Sequence, residues 1–302
     1  MRDGYAWWYV DALSDDGENG LTIIAFIGSV FSPYYAYARR KGPADPHNHV
    51  ALNVALYGKA ARAWAMTERG AAALSRTSNS LRIGPSALRW DGTSLVIDIE
   101  EIAFPILKRV KGQIRVTPRC LPAHQFHLDG AGTQIWQPIA PRSDISVAFS
   151  APSLSWKGHA YFDHNRGTRP LEHAFQSWNW QRQTTADSTR ILYDVTERAS
   201  GGGCLALDIA HNGAIRYLAA PPPAILPSGR IWRVGRGTRS DAGEPARVLE
   251  TFEDTPFYAR SLVSASLWGN RAPSIHESLD LDRFTMPIVQ AMLPFRMPRR
   301  TS

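Results

Sequence analysis

The sequence predicts an all-β fold, a sandwich or a barrel. Three observations carry that expectation. Runs of apolar and β-branched residues recur about every ten positions. Gly, Asp, Asn or Pro separates most of these runs. Two dipeptides, Asp91-Gly92 and Asn212-Gly213, are of the kind that tight hairpins favour.

The expected strands, in order, are Ala6–Val10, Leu21–Phe31, His49–Leu56, Leu81–Ile83, Ser94–Ile99 and Gln113–Val116. Asp144–Phe149, His159–Phe162, Ala174–Trp180, Arg190–Val195 and Leu205–Ile209 follow. Leu21–Phe31 is the longest apolar stretch, yet it falls short of the about 20 residues a membrane-spanning helix needs. Its Ile and Phe content, between Gly20 and Pro33, fits a buried strand. Ala60–Ser75 is Ala-rich and reads as helical, without a clean amphipathic stripe. The run Ser200–Cys204 holds three glycines and reads as a linker or a hairpin tip. No Lys-Ser/Thr follows it, so it is not a phosphate loop. A domain boundary is expected there, giving domains 1–199 and 200–302. The second part continues with strands at Ile231–Val234, Ala246–Phe252 and Phe257–Leu267. It ends in Phe284–Arg300, an apolar and basic tail that suits either an anionic bilayer or a segment docked on the core.

A chain of 302 residues can bury a large core without disulfides or metals. Lys plus Arg is 34 and Asp plus Glu is 27, a net charge of +7, which suits nucleic acid or phospholipid. Two cysteines, Cys120 and Cys204, exclude a disulfide framework and a Cys-rich zinc module, and fit a reducing compartment. The first residues, Met-Arg-Asp-Gly-Tyr-Ala-Trp-Trp, hold no apolar signal core, so secretion through a cleaved leader is not expected. His47-Asn48-His49 and His124–His127 lack a companion Glu or Cys at a recognised offset, so no metal is expected. No G-x-S-x-G and no G-x-G-x-x-G occurs. Tyr34, Tyr35 and Tyr37 precede Arg39-Arg40-Lys41, a pattern for single-stranded nucleic acid, for lipid head groups, or for a solvated loop.

Two clusters suggest chemistry. In Trp7-Trp8-Tyr9-Val10-Asp11, strand alternation puts Trp7, Tyr9 and Asp11 on one face and Trp8 and Val10 on the other. In Tyr161-Phe162-Asp163-His164-Asn165-Arg166-Gly167, it puts Tyr161, Asp163 and Asn165 on one face and Phe162 and His164 on the other. A β-turn at Asn165–Gly167 joining two aromatic strands explains Asn165 and Gly167 but not Asp163. Trp178 and Trp180 share a face further on.

The strings WWYVDALSDDG (7–17), LTIIAFIGSVFSPYYAYARR (21–40), DPHNHVALNVALYG (45–58), WAMTERG (64–70), IGPSALRWDG (83–92), YFDHNRGTRPLE (161–172) and WNWQR (178–182) resemble carotenoid 1,2-hydratase, also called hydroxyneurosporene synthase. The resemblance spans the chain to about residue 200 and weakens beyond it. It implies tandem lipocalin-like β-barrels. It implies cofactor-independent addition of water to the terminal C1–C2 double bond of an acyclic carotene such as neurosporene or lycopene. A non-enzymatic lipocalin-like carrier of carotenoid or lipid, or a related terpenoid cyclase, is the alternative on the same fold.

That chemistry suits the residues. A trisubstituted alkene is a poor base, so its protonation needs an acid held neutral until used. A carboxyl among aromatic rings has its ionised form disfavoured by desolvation. Asp163 is the expected proton donor and Asp11 the runner-up. Asp11 or His164 then accepts a proton from the incoming water. Trp8, Tyr9, Tyr34, Tyr35, Tyr161, Trp178 and Trp180 are the expected substrate-binding aromatics, whose faces steady a tertiary cation. A long polyene is insoluble in water, so the +7 charge now favours an anionic membrane over nucleic acid as partner. The expected location is the cytoplasmic side, peripheral to the membrane.

Overall fold

The computed structural model describes residues 2–59 and 61–300. The chain divides into two compact units. Unit 1 is Met1–His127, Thr133–Pro170 and Ala291–Ser302; unit 2 is Leu128–Gly132 and Leu171–Gln290.

Unit 1 begins with β1 (Tyr5–Ser14), β2 (Asn19–Ile27), α1 (Pro33–Lys41), β3 (Val50–Gly58) and β4 (Ala63–Arg69). It continues with β5 (Leu74–Arg76), β6 (Ser80–Ile83), β7 (Ser86–Trp90), β8 (Leu95–Ala103) and β9 (Lys108–Pro118). Then come β10 (Phe126–His127), β11 (Gln134–Ala151) and β12 (Ser153–Gly167). Unit 2 holds α2 (Leu171–Ala174), β13 (Phe175–Thr184), β14 (Ser188–Glu197), β15 (Gly201–Ala210) and β16 (Ile215–Tyr217). It adds β17 (Pro223–Leu226), β18 (Arg236–Arg239), β19 (Arg247–Asp254), β20 (Tyr258–Leu267), β21 (Asn270–Asp280), α3 (Leu281–Thr285) and α4 (Pro287–Met292). The chain returns to unit 1 at Ala291, within α4, and there forms β22 (Arg299–Arg300).

Among the described residues, the sheet of unit 1 runs β22-β4-β3-β2-β1-β12-β11-β9-β8-β7-β6-β5, with β10 on β11. The sheet curls around one aliphatic core. Val10 and Ala12 of β1, Leu21, Ile23 and Ala25 of β2, and Val50, Leu52 and Val54 of β3 enter it. Ile97 and Ile99 of β8, Ile114 of β9, Val147 of β11 and Phe162 of β12 complete it. Arg69 of β4 reaches β8, where its Nη2 donates to Glu101 Oε2 at 2.7 Å and Ser86 Oγ donates to Oε1 at 3.0 Å. Burial raises the Glu101 carboxyl above its usual range, against the pull of Arg69.

The opposite faces of β1, β2 and β12 are buried too. That explains why β2 reads as an unbroken apolar run: Ile23 and Ala25 enter the aliphatic core while Phe26 lies buried on the other side. Gly158 of β12 faces the backbone of Leu13 and Ser14, where a Cβ would collide, so β1 approaches closely only because this residue is glycine.

Unit 2 has a sheet in the order β16-β15-β14-β13-β21-β20-β19 and a separate β17–β18 hairpin. Trp178 packs against Phe175 and Tyr193, with centroids 5.9 and 5.6 Å apart.

Five expectations change. The division between units falls at Pro170/Leu171, not at 199/200. Gly201–Ala210 is a strand paired with β14 along its length, Gly201 opposite Glu197, so the glycines begin a strand just past a hairpin tip. Propensity disfavours them, and the ladder of a neighbouring strand overrides it. The expected helix Ala60–Ser75 is β4 plus β5, with Ala60 outside the described residues. Pairing of β4 with β3 on one side and β22 on the other decides its conformation. The Asn165–Gly167 turn is strand, because β12 is paired on both sides through Gly167. Ile231–Val234 is a loop between β17 and β18, not a strand.

The end of the tail is docked. Arg299 stands opposite Glu68 in a parallel pair and forms an ion pair with it. Arg296 stacks on Trp64 at 4.4 Å, and Met297 is buried.

Candidate active site

The second buried face of unit 1 is aromatic and polar. β1 supplies Tyr5, Trp7, Tyr9 and Asp11; β12 supplies Tyr161, Asp163 and Asn165; β11 supplies Gln134 and Trp136. All nine are buried. The register sets their neighbours: Tyr9 faces Asp163, Asp11 faces Tyr161, and Trp7 and Trp136 flank Asn165. A Tyr-x-Asp sequence occurs in both strands, at Tyr9-Val10-Asp11 and at Tyr161-Phe162-Asp163. Antiparallel pairing turns these repeats into a square with tyrosine and aspartate at alternate corners. The two carboxylates are diagonal neighbours, with Cα atoms about 7–8 Å apart.

Hydrogen bonds fix this square. Tyr161 Oη donates to Asp163 Oδ2 at 2.8 Å. Trp136 Nε1 donates to the same oxygen at 2.8 Å. Tyr9 Oη donates to Asp11 Oδ2 at 3.3 Å. Tyr5 Oη donates to Gln134 Oε1. The rings pack around them: Tyr5 stacks on Trp7 at 4.9 Å, and Tyr9 meets Tyr161 edge-on at 6.3 Å. Trp7 meets Phe26 at 6.1 Å, and Phe126 meets Trp136 at 5.3 Å. Asp163 is 4% exposed and Asp11 0%.

This arrangement suits acid chemistry on an apolar substrate. Because Oδ2 of Asp163 accepts two donors, a proton transferred from this carboxyl would leave from Oδ1. The two donors then stand ready for the charge that develops when the proton leaves, at no cost in reorganisation.

The structure brings together Asp163, Asp11, Tyr9 and Tyr161 within unit 1. Trp8 and His164 face each other on the opposite side of the sheet, with rings 4.8 Å apart. Burial pushes the His164 imidazole down to about 4, with Arg166 and Arg76 adding to it. His164 is therefore a neutral ring packed on Trp8, not a base beside Asp163. Tyr34 and Tyr35 belong to α1, whose N-terminus is capped by Ser32 Oγ accepting from Tyr35 N at 3.0 Å. Tyr35 anchors that helix. Its Oη donates to Gly4 O at 2.7 Å, and its ring lies between His49 and Arg39, 4.6 and 4.2 Å away. Burial pushes its hydroxyl up to about 12 and raises that of Tyr34 as well. Trp178 and Trp180 belong to β13 in unit 2.

A second polar cluster joins the turn before β3 to β4 and β22. His49 Nδ1 lies 2.8 Å from Glu68 Oε1, and Arg299 bonds both the Glu68 carboxylate and, through Nη2, Asn48 O at 2.9 Å.

Trp136 and Gln134 escape a reading of the sequence. Pro138 and Pro141 interrupt their strand, and proline argues against a strand interior. The structure absorbs both prolines in register shifts between Pro138 and Ser143. Gln134-Ile135-Trp136, alternating just before them, is the signal that marks the strand's true start.

Fold and site define a lipocalin-like β protein that buries a carboxylic acid among aromatic rings. The chain belongs to the carotenoid hydratase family, whose model, Carotenoid hydratase CrtC, matches residues 23–302. It is 58% identical over 296 residues to an acyclic carotenoid 1,2-hydratase of Thiocapsa roseopersicina, covering 98% of this chain and 73% of that one. It is 49% identical to the protein of the same name in Rubrivivax gelatinosus, covering 98% and 74%. With that of Cereibacter sphaeroides identity is 40%, covering 92% and 98%. Among solved structures, its fold is similar to a putative AttH from Nitrosomonas europaea (TM-score 0.62, 13% identity, covering 91% and 92%). It is also similar to kievitone hydratase from Nectria haematococca (TM-score 0.57, 10% identity, covering 93% and 90%).

Proposed function

We propose that this chain is an acyclic carotenoid 1,2-hydratase in which Asp163 protonates the substrate. The observation that carries the assignment is the carboxyl of Asp163, buried among rings with Tyr161 and Trp136 both donating to Oδ2. The proton on Oδ1 passes to C2 of the terminal double bond, whose π electrons form the new C–H bond. C1 becomes a tertiary cation. The faces of Tyr9, Tyr161 and Trp136 stabilise it by about 0.5–2 kcal/mol per good contact. Water attacks C1 through oxygen and gives one proton to Asp11, leaving the tertiary alcohol. Tyr9 donates to Asp11 and its backbone stands opposite Asp163 in the strand pair, so its hydroxyl is the path we assign to the returning proton.

The substrate is a water-insoluble polyene, and the net charge of +7 supports a working place on an anionic membrane surface. The test is incubation with lycopene or neurosporene in detergent micelles and chromatography of the product. A hydroxylated carotene is expected. Recovery of unchanged carotene bound to the protein would make it a carrier.

A further inference from the structure

The loop between β17 and β18 presents Arg230-Ile231-Trp232-Arg233 to solvent. Ile231 is 76% exposed and Trp232 36%. On the adjoining strand, Ile225 is 90% exposed. Arg230 and Arg233 form no ion pair among the described residues.

Slack does not explain this exposure, because the loop's backbone is fastened from within. Asp254 Oδ2 accepts from Ile231 N at 2.9 Å, and its Oδ1 accepts from Trp232 N at 3.4 Å. Gly229 lies against that carboxylate, where a Cβ would collide. Arg283 donates through Nη1 to Trp232 O at 2.5 Å and through Nη2 to Arg233 O at 3.4 Å. Gly229 N donates to Val234 O at 3.3 Å, and Val234 is fully buried. Arg233 holds φ at 52°, a left-handed conformation that a side chain disfavours. The Asp254 carboxylate, the Arg283 guanidinium and a strained residue thus hold an indole and an isoleucine outward between two cations.

We propose that the Arg230–Arg233 loop docks the protein on an anionic phospholipid bilayer. An indole settles at the level of the head groups, with its apolar body toward the acyl chains. Guanidinium groups bind phosphate through paired N–H donors. Charge complementarity and the fixed apolar tip select lipid. Docking there would bring the enzyme to its substrate, and in that purpose the inference rests on the carotenoid reading.

The test is co-sedimentation with vesicles of phosphatidylcholine alone and mixed with phosphatidylglycerol. Wild type is expected to bind the mixed vesicles, less as salt rises. Arg230→Gln with Arg233→Gln should weaken that binding about thirtyfold, at about 1 kcal/mol per cation. Ile231→Ser with Trp232→Ser should weaken it at least tenfold at any salt. Both doubles should keep the wild-type melting temperature and hydrate lycopene in micelles within about twofold of wild type. Vesicle binding that neither double changes would overturn the proposal. So would binding by wild type to a soluble polyanion such as an oligonucleotide but to neither vesicle. If wild type fails on micellar carotene yet the vesicle results hold, the hydratase reading falls and the docking loop stands.

Discussion

The indole Nε1 of Trp136 lies 2.8 Å from Oδ2 of Asp163, the oxygen that Tyr161 Oη also reaches. Both donors sit on strands that flank or carry the acid, so their aim is set by register rather than by a flexible loop. They hold one carboxyl oxygen as an acceptor and leave the other to carry the proton.

Removing either donor while keeping an aromatic face should slow the proton transfer without weakening substrate binding. Trp136→Phe and Tyr161→Phe are each expected to lower kcat by about 10²-fold with KM little changed. The double variant should cost less than the product of the two, because both act on one oxygen. Steady-state kinetics on micellar lycopene checks this.

Much of this was legible beforehand. Alternation alone put Asp163 with Tyr161 and Asp11 with Tyr9, because both segments are strands with period two. What joined them was not legible. Nothing local to residues 7–11 or 161–167 says that β1 and β12 pair, nor that Tyr9 meets Asp163. Trp136 lay behind two prolines. His164 adjoins Asp163 in sequence, and for that reason points to the other side of the sheet. The glycine run at 201–203 has the composition of a linker, and the ladder with β14 makes it a strand.

A deuterium label should follow the proton. In D2O the product is expected to carry one deuterium at C2, introduced by the exchanged Asp163 carboxyl. Mass spectrometry of the product reads it. An unlabelled C2 would exclude protonation there by an exchangeable acid.

Acid should destabilise the fold through its buried histidines. Burial holds His164 at about 4 and His276 at about 4, below the 6.5 of an exposed imidazole. Between those values the unfolded chain binds the protons and the folded chain does not. Stability is thus complete above pH 6.5 and is lost as pH falls toward 4, by on the order of 2–3 kcal/mol per histidine. His164→Phe keeps the ring on Trp8 and should flatten the slope of melting temperature between pH 7 and 5.

The docked tail should matter to stability. Arg299→Ala leaves Glu68, 2% exposed, as a buried carboxylate whose main cation is gone. The expected loss is about 3–5 kcal/mol in urea unfolding. Adding Glu68→Gln removes the stranded charge and should restore a good part of it.

The role of Asp163 is tested most directly by Asp163→Asn, which keeps the shape and the two hydrogen-bonded neighbours but carries no acidic proton. Turnover of lycopene should fall by about 10²–10⁴-fold, with the melting temperature within a few degrees of wild type. Near-normal turnover by the folded variant would contradict the account.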